Sequence, residues 1–186
     1  FVQATTIGKD LSLDDLRKAG YQAILLCSGA GTQADLDLEG QELAGAFSAA
    51  QFLMRTNLGD HYWIGPQLSP LQIGEKVVIF GWGHAAVDCA RTAIRLGARQ
   101  VICLYPNHEM ELLCRQEDKL AAMEEGVLFQ PYAQPIRLIG DPNGQLQQVV
   151  CQRMIPKCVA GERKSVPLPG ATFELPADNF IAALEL

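Results

Sequence analysis

The sequence has little of what nucleic-acid-binding and membrane proteins need. Of its 186 residues only 15 are Lys or Arg, against 21 Asp or Glu, so the formal net charge is −6. The basic residues form no run of the kind that neutralises phosphates. No apolar stretch is long enough to span a bilayer, and no signal peptide opens the chain. We therefore expect no nucleic-acid partner, no membrane association and a cytoplasmic location.

Metal-binding and nucleophilic patterns are also missing. The chain has three histidines and six cysteines, and no two cysteines form the C-x-x-C pair that is typical of zinc and iron–sulfur sites. Because no Ser/His/Asp or Cys/His arrangement stands out, we name no catalytic residue and expect no metal site. The cysteines are expected to be buried and reduced. They are Cys27, Cys89, Cys103, Cys114, Cys151 and Cys158.

The sequence is, by contrast, rich in hydrophobic residues. Hydrophobic residues make up 48% of the chain, which suffices for a substantial core. The length allows one large domain, or one domain with part of another. Because the chain starts at Phe1 rather than Met and ends just behind the apolar run 180–184, we expect a fragment of a longer protein. Whether Glu185 and Leu186 are native is left open by the sequence.

The first third has weak structural signals. Ser12 and Asp15 form a capping box that predicts a short helix ended by Gly20. The apolar run 21–26 is long enough for one buried strand. Further along we predict, in order, a turn at residues 28–31, a loop at 32–45, a helix capped by Ser48 that extends to about Asn57, and a Gly- and Pro-rich linker at 59–74.

A much clearer unit follows, in which apolar runs alternate with helical patterns. A strand–helix–strand–helix–strand order predicts a parallel sheet with right-handed crossovers. The segments are strands 76–80, 100–105 and 127–130 and helices 84–96 and 109–125, which end at Gly97 and Gly126.

The last part of the chain predicts an antiparallel insertion. Residues 136–139 and 145–154 flank the strong turn sequence at 141–144. Residues 157–166 add a second hairpin, and residues 180–184 return to the pattern of a buried strand.

The loop after strand 76–80 has the strongest chemical signal. Residues 81–86 (GWGHAA) fit the dinucleotide-binding pattern G-x-G-x-x-A between a strand and a helix. Gly81 permits a sharp exit from the strand, Gly83 lets the backbone approach a pyrophosphate, and Ala86 lets the helix pack closely on the sheet. The N–H groups of the first helical turn then face the phosphates. The alternative is a purely structural turn, or a site that has lost its ligand.

Two members of this loop are bulky. We expect Trp82 to pack against neighbouring structure, with stacking over a ligand as the alternative. His84 either hydrogen-bonds a phosphate or is solvated. With Ala85 they complete the predicted cofactor-binding loop.

The end of the second strand should distinguish the nicotinamide cofactors. An acidic residue about 20 positions beyond the loop favours NAD, and an Arg there favours NADP. Residues 101–108 (VICLYPNH) contain neither, although Asn107 and His108 could bond a ribose hydroxyl. We include Tyr105 and Asn107 among the cofactor-binding candidates, and this stretch leaves the choice between NADH and NADPH open.

The charged residues of the two helices receive a plainer interpretation. Arg91 and Arg95 share a face, which is solvated unless it contacts a partner or a phosphate. The acidic residues of the second helix are expected on its solvated side. They are Glu111, Glu117, Asp118, Glu124 and Glu125.

Several stretches in the same order resemble one family. The chain resembles the small subunit of glutamate synthase and the matching flavin domains of dihydropyrimidine dehydrogenase and related pyridine nucleotide-disulfide oxidoreductases. Together with the Gly loop, the resemblance covers nearly the whole chain. It rests on residues 8–13 (GKDLSL), 21–30 (YQAILLCSGA), 88–98 (DCARTAIRLGA), 109–110 (EM), 124–127 (EEGV), 151–154 (CQRM) and 175–178 (LPAD).

The resemblance implies an FAD-binding domain interrupted by an NAD(P)-binding domain, with hydride passing from NAD(P)H to FAD. Residues 1–73 would hold part of the FAD-binding domain and the connection, and residues 74–186 the NAD(P)-binding domain. FAD would bind only in the full-length protein, and an iron–sulfur cluster would lie outside this fragment. The fold class expected is α/β: a Rossmann-like, three-layer dinucleotide-binding domain with an antiparallel β insertion, plus part of an FAD-binding domain.

The chain departs from the family at two places. Trp82 and His84 stand where the family usually has a third Gly and an Asn. Pro106 and Asn107 stand where it usually has two arginines that grip the NADP 2′-phosphate, which favours NADH.

We expect the nucleotide-binding part of an NAD(P)H-dependent flavoprotein oxidoreductase, inactive as a fragment. Its expected partners are the missing FAD-domain segments and a large catalytic or electron-accepting subunit. The alternative is a degenerate, non-catalytic nucleotide-binding or subunit-docking scaffold.

Overall fold

A computed structural model describes residues 1–27, 37–58, 71–108, 113–159 and 162–184. The chain divides into two compact units, Phe1–Thr32 and Gln33–Leu186. No helix among the described residues is long and apolar enough to cross a membrane.

The first unit contains one short helix, α1 (Leu13–Lys18), in its described part. Ser12 Oγ accepts a hydrogen bond from the Asp15 backbone N–H at 3.1 Å, and Asp15 Oδ2 accepts one from the Ser12 N–H at 3.1 Å. Gly20 then leaves the helix with a φ of +97°. The predicted capping box and its glycine stop are confirmed.

The buried strand predicted at residues 21–26 is wrong. No described residue of this stretch is in a strand, and Tyr21, Leu25 and Leu26 are 61%, 86% and 71% exposed. An apolar run becomes a strand only when another strand accepts its backbone hydrogen bonds. In the described part of this unit, the bridge between Ile7 and Leu11 is the only strand-like pairing. The turn predicted at residues 28–31 lies outside the described residues.

The described part of the second unit contains two sheets. The parallel sheet has the order β1-β8-β2-β3-β4, and the antiparallel sheet has the order β5-β6-β7. The strands are β1 (Ala46–Ser48), β2 (Lys76–Phe80), β3 (Gln100–Leu104), β4 (Leu128–Gln130), β5 (Ala133–Gly140), β6 (Leu146–Val159), β7 (Glu162–Pro176) and β8 (Asn179–Ala182). The helices are α2 (Ala49–Leu58), α3 (His84–Arg95) and α4 (Gln116–Glu124).

Alternation along β2 shows how the layers are built. Val77 and Ile79 pack in one core cluster with residues of α2, α3 and α4. Val78 and Phe80 pack in a second cluster with residues of the antiparallel sheet. Successive side chains of a strand point to opposite faces, so a fully apolar strand is buried on both sides. The unit is therefore a three-layer α/β/β fold, and the predicted fold class is confirmed.

Most predicted elements of this unit are present. Ser48 caps α2, because its Oγ accepts from the Gln51 N–H at 3.2 Å while Gln51 Oε1 accepts from the Ser48 N–H at 3.1 Å. Both antiparallel hairpins form, and residues 180–184 include a strand that lies between β1 and β2. Most of the predicted linker, residues 59–70, lies outside the described part.

Three features differ from the sequence-based prediction. No strand was predicted at residues 46–48, where β1 pairs with β8. The second unit therefore includes residues before the predicted linker. β7 is longer than the predicted hairpin arm. Helix α4 begins at Gln116 rather than 109, because Arg115 is extended at φ −66° and ψ 142°. Residues 109–112 lie outside the described part.

Candidate nucleotide-binding site

The predicted site lies at the carboxyl edge of the parallel sheet. Phe80 of β2 is in register with Leu104 of β3 and with Ala182 of β8, and Leu104 is in register with Gln130 of β4. The segments that follow these strands therefore meet at one edge. Ligands of open α/β sheets bind in the crevice outside the carboxyl ends of the strands.

Gly81 is held between two neighbouring strands. Its N–H donates to the Leu104 carbonyl at 3.0 Å, and the Phe80 carbonyl accepts from the Ala183 N–H at 2.7 Å. A Cβ added at Gly81 would lie only 2.1 Å from the Ala183 carbonyl oxygen. Gly81 is therefore required because the backbone beyond β8 packs directly against it.

Gly83 provides the N-cap of α3. Its backbone is extended, with φ −109° and ψ −170°, and no side chain caps the helix. The first N–H groups of an α-helix have no partner within the helix, and the helix dipole places partial positive charge there. The end of α3, formed by Gly83, His84 and Ala85, is thus suited to an anion such as a pyrophosphate.

Small side chains hold α3 close to the sheet. Ala86 is 2% exposed, and Cys89, Ala90 and Ala93 on the same face are completely buried. Larger residues at these positions would push the helix, and its N–H groups, away from the strand ends. The role predicted for Ala86 agrees with this packing.

Trp82 lies at the bend of the loop and packs inward. Its ring meets the Phe80 ring edge-on, with centroids 6.1 Å apart and an interplanar angle of 74°. Its carbonyl accepts from the Leu113 N–H at 2.7 Å, which draws the segment before α4 towards the loop. The contact with Phe80 is the packing that we expected of Trp82, and its part in cofactor binding stays a prediction.

His84 faces a carboxylate. Its Nδ1 lies 3.7 Å from Asp118 Oδ2, with the two side chains 53% and 43% exposed. Asp118 was assigned to the solvated side of the second helix, but it stands in the first turn of α4 beside the start of α3. The candidate phosphate ligand therefore has a negative neighbour.

The residues after β3 differ in their exposure. The side chain of Tyr105 is 1% exposed, and its backbone bonds to Gln130 and Ala133 join β3 to the start of the antiparallel layer. Tyr105 therefore supports the edge from within and offers almost no surface to a ligand. Asn107 and His108 are partly exposed.

Tyr132 is a member of this edge that the sequence did not reveal. Its ring meets that of His108 edge-on at 6.2 Å, and its backbone is left-handed with φ +56°. Such a conformation is an outlier for a bulky residue and marks functional sites. Its position directly after the third predicted strand was the only signal in the sequence.

Arg91 and Arg95 point to Glu125 rather than to the loop. Glu125 Oε1 accepts from Arg91 Nε at 2.9 Å, from Arg91 Nη2 at 2.7 Å and from Arg95 Nη2 at 2.9 Å. The hydrogen bond from Arg91 is the main cause of a lowered Glu125 pKa. Glu125 is thus a link between α3 and the end of α4, contrary to the solvated position that we predicted.

Half of the cysteines behave as buried hydrophobic residues. Cys89, Cys103 and Cys151 are completely buried, and desolvation raises the pKa of the Cys89 and Cys151 thiols to about 12. The others differ from the prediction, since Cys27 and Cys158 are exposed and Cys114 is partly exposed. Among the described residues, no group of His, Cys, Asp and Glu could hold a metal ion.

The layers, the glycine loop and the uncapped helix define the second unit as a dinucleotide-binding α/β fold. Solved structures share it. FprA, an oxidoreductase of Mycobacterium tuberculosis, superposes with a TM-score of 0.74 at 17% identity, over 96% of this chain and 53% of that chain. Thioredoxin reductase of Lactococcus lactis gives a TM-score of 0.57 at 16% identity, over 83% of this chain and 42% of that chain.

Curated proteins are similar in sequence over nearly the whole chain. The chain is 32% identical, over 97% of its length, to the NADPH-Fe(3+) oxidoreductase subunit beta of Geobacter sulfurreducens, of which it covers 26%. It is 32% identical, over 96% of its length, to the glutamate synthase (NADPH) small chain of Escherichia coli, of which it covers 39%. No family model matches the chain.

These relatives confirm the resemblance predicted from the sequence. The chain is related to glutamate synthase small chains and to beta subunits of NADPH-dependent oxidoreductases. It spans about a quarter to two fifths of the length of these two relatives.

Proposed function

We propose that the chain is the nicotinamide-dinucleotide-binding part of a flavoprotein oxidoreductase that passes hydride from NAD(P)H to FAD. The observation that carries the proposal is the uncapped N-terminus of α3 beside Gly81, at the carboxyl edge of the parallel sheet. The relatives named above are oxidoreductase and glutamate synthase subunits. A solved structure of FprA in complex with NADPH has the same fold, with a TM-score of 0.71 at 17% identity.

The residues of the loop divide the task of binding. Gly81 and Gly83 bring backbone to the pyrophosphate, and the N–H groups of residues 84–86 face it. His84 adds a hydrogen-bond donor at the exposed side, while Trp82 and Tyr105 shape the site from behind. Asn107 is placed for a ribose hydroxyl. The hydride chemistry belongs to the cofactors, and the protein supplies position and electrostatics.

We propose that residues 74–186 form the NAD(P)-binding domain, to whose sheet the preceding β1 adds a strand, and that residues 1–73 hold a segment of an FAD-binding domain and the connection. The exposed apolar run 21–26 supports this division. Leu25 and Leu26 leave most of their surface uncovered, as expected of a segment that packs against other parts of the protein. FAD would then bind only in the full-length protein.

The partners follow from the same proposal. The relatives are subunits, and the chain spans only part of them. A larger catalytic or electron-accepting subunit would take electrons from the flavin, with any iron–sulfur cluster outside this chain, and the complex would work in the cytoplasm.

A titration of the chain tests the nucleotide site. NADH and NADPH are added separately, and binding is followed by calorimetry and by tryptophan fluorescence. We expect saturable binding of at least one of them, and a Kd at least about tenfold weaker in Gly83→Ala. Gly83 has an ordinary extended φ of −109°, so the added Cβ obstructs the ligand rather than straining the backbone.

The matched control is Gly126→Ala. Gly126 lies beyond the far end of α4, where an added Cβ meets nothing within 4 Å, so the Kd should not change. Circular dichroism establishes that each variant is folded. If the folded chain binds neither nucleotide at millimolar concentration, the proposal is wrong and the docking scaffold is the better interpretation.

A further inference from the structure

We infer that the site selects NADH over NADPH, because the subsite formed by Asn107, His108 and Tyr132 receives the adenosine end with a free 2′-hydroxyl. The inference rests on the proposed function and adds the identity of the dinucleotide. It also gives a role to Tyr132 and Asp118, neither of which the sequence pattern assigned to the site.

The position of the subsite follows from the sheet. β3 and β4 end side by side, with Leu104 and Gln130 in register. Tyr132 follows β4 and meets His108, which follows β3, ring edge to ring at 6.2 Å. The Met154 N–H donates to the Tyr132 carbonyl at 2.8 Å and holds the left-handed residue in place. Two aromatic rings therefore stand at the same edge of the sheet as the nucleotide loop, where an adenine ring can pack.

The stretch from β3 to Cys114 has no lysine or arginine. Residues 100–114 contain two Glu and no Lys or Arg. Arg99 stands at the opposite end of the strand, where its backbone N–H bonds to the Glu75 carbonyl and its side chain lies 3.3 Å from the Glu75 carboxylate. A strand of five residues is roughly 17 Å long, so Arg99 is far from the carboxyl edge.

The charge around the loop opposes an additional phosphate. The first turn of α4 contains Glu117 and Asp118, whereas Lys119, which closes that turn, is 5% exposed and lies over the Phe129 ring. The Asp118 carboxylate lies 3.7 Å from His84 at the start of α3. A 2′-phosphate adds close to two negative charges, whereas the amide of Asn107 suits a hydroxyl as donor or acceptor.

Four probes separate the 2′-phosphate from the rest of the cofactor. We would measure Kd for NADH and NADPH, and for 5′-AMP and 2′,5′-ADP, which contain only the adenosine end. NADH should bind roughly tenfold or more tightly than NADPH, and 5′-AMP more tightly than 2′,5′-ADP. Preference in the small probes would show that the discrimination lies at the adenosine end.

Substitutions should move the preference in a stated direction. Asn107→Arg supplies a cation for the 2′-phosphate, so the ratio of the NADPH Kd to the NADH Kd should fall about tenfold. The matched neutral variant Asn107→Gln should keep the wild-type preference. Asp118→Asn removes the repulsion and should lower the same ratio by a smaller factor.

Two results overturn the inference while the proposed function stands. One is NADPH binding as tightly as NADH or more tightly; the loss of that binding in Arg115→Ala would then identify Arg115 as the phosphate ligand. The other is a Kd ratio that Asn107→Arg leaves unchanged. Binding of neither dinucleotide to the folded chain would instead overturn the proposed function.

Discussion

The two edges of the parallel sheet use opposite chemistry. At the amino edge, polar side chains satisfy the protein's own backbone. Asn179 is 3% exposed; its Oδ1 accepts from the Gly74 N–H at 2.8 Å, and its Nδ2 donates to the Gln72 carbonyl at 3.4 Å. Asp178 Oδ2 accepts from the Lys76 N–H at 2.8 Å.

At the carboxyl edge, the loop consists of two glycines, two alanines, an inward-packed Trp82 and His84, which lies beside Asp118. Here no side chain caps α3. The two edges differ in what their hydrogen-bonding groups bind. At the amino edge, side chains bond to the protein's own backbone, and at the carboxyl edge backbone N–H donors are available to a ligand. Substitutions at the amino edge should change stability alone, whereas those at the carboxyl edge should change binding as well.

The largest effect is expected at Gly81, which stands where the loop leaves β2. Gly81→Ala places a Cβ 2.1 Å from the Ala183 carbonyl oxygen, and overpacking against backbone should lower the free energy of unfolding by about 3 kcal/mol or more. Urea denaturation measures the loss. Gly126→Ala, at a φ of +99° with open space around it, should lose only about 1–2 kcal/mol. Equal losses would show that close packing at Gly81 is unimportant.

A smaller effect is expected at Asn179, on the opposite edge. Asn179→Ala leaves the part-buried Gly74 N–H without its partner, which should lower the free energy of unfolding by about 2 kcal/mol. Calorimetric titration should give the wild-type nucleotide Kd at a temperature where the variant is fully folded. A weaker Kd under those conditions would contradict the separation of the two edges.

Trp82→Ala should cause a modest loss of stability, because the ring supports the nucleotide loop. Trp82→Ala removes the edge-on contact with Phe80, and an aromatic pair contributes about 1 kcal/mol beyond its buried area. Trp82→Phe keeps most of that contact and should recover most of the stability. Thermal unfolding compares the variants, and identical melting curves for Trp82→Ala and wild type would show that the ring does not support the loop.

The smallest effect is expected at Glu125, and it depends on pH. The Glu125 pKa is lowered below its ordinary value of 4.5, chiefly by the hydrogen bond from Arg91. Its contribution to stability is therefore complete above that value and is lost as the pH falls through the lowered pKa. Glu125→Gln should have a lower melting temperature at neutral pH, and the difference should shrink on acidification. The exposed neighbour variant Glu124→Gln should show no such pH dependence.

Local patterns explain which parts of the fold were predictable. β2, its loop, α3 and β3 follow from an apolar run, two glycines and a helical repeat that lie next to each other in the sequence. Segment 21–26 has an equally apolar pattern, yet it is not a strand, because pairing depends on residues elsewhere. β1 was missed for the converse reason: three residues have no periodicity, and only β8 makes them a strand.

The same distinction applies to the candidate site. The motif identified residues 81–86 because each position has a local backbone role. Asp118 comes near the loop only through the folding of α4, and Tyr132 comes to His108 only through the turn after β4, so no spacing rule identified them. Glu125 was assigned to solvent because its helix was predicted from its own pattern, without its arginine partners on α3.

The placement of β8 has a consequence for the order in which the protein can fold. β1 has β8 as its strand partner, and β8 follows it by about 130 residues. Ala183, which follows β8, is also the residue whose carbonyl packs against Gly81. At a synthesis rate of about 5–20 residues per second, a nascent chain waits several seconds between making the glycine loop and making its neighbour. The nucleotide loop is thus made early and completed late, because its final shape depends on a strand that is synthesised about 100 residues after it.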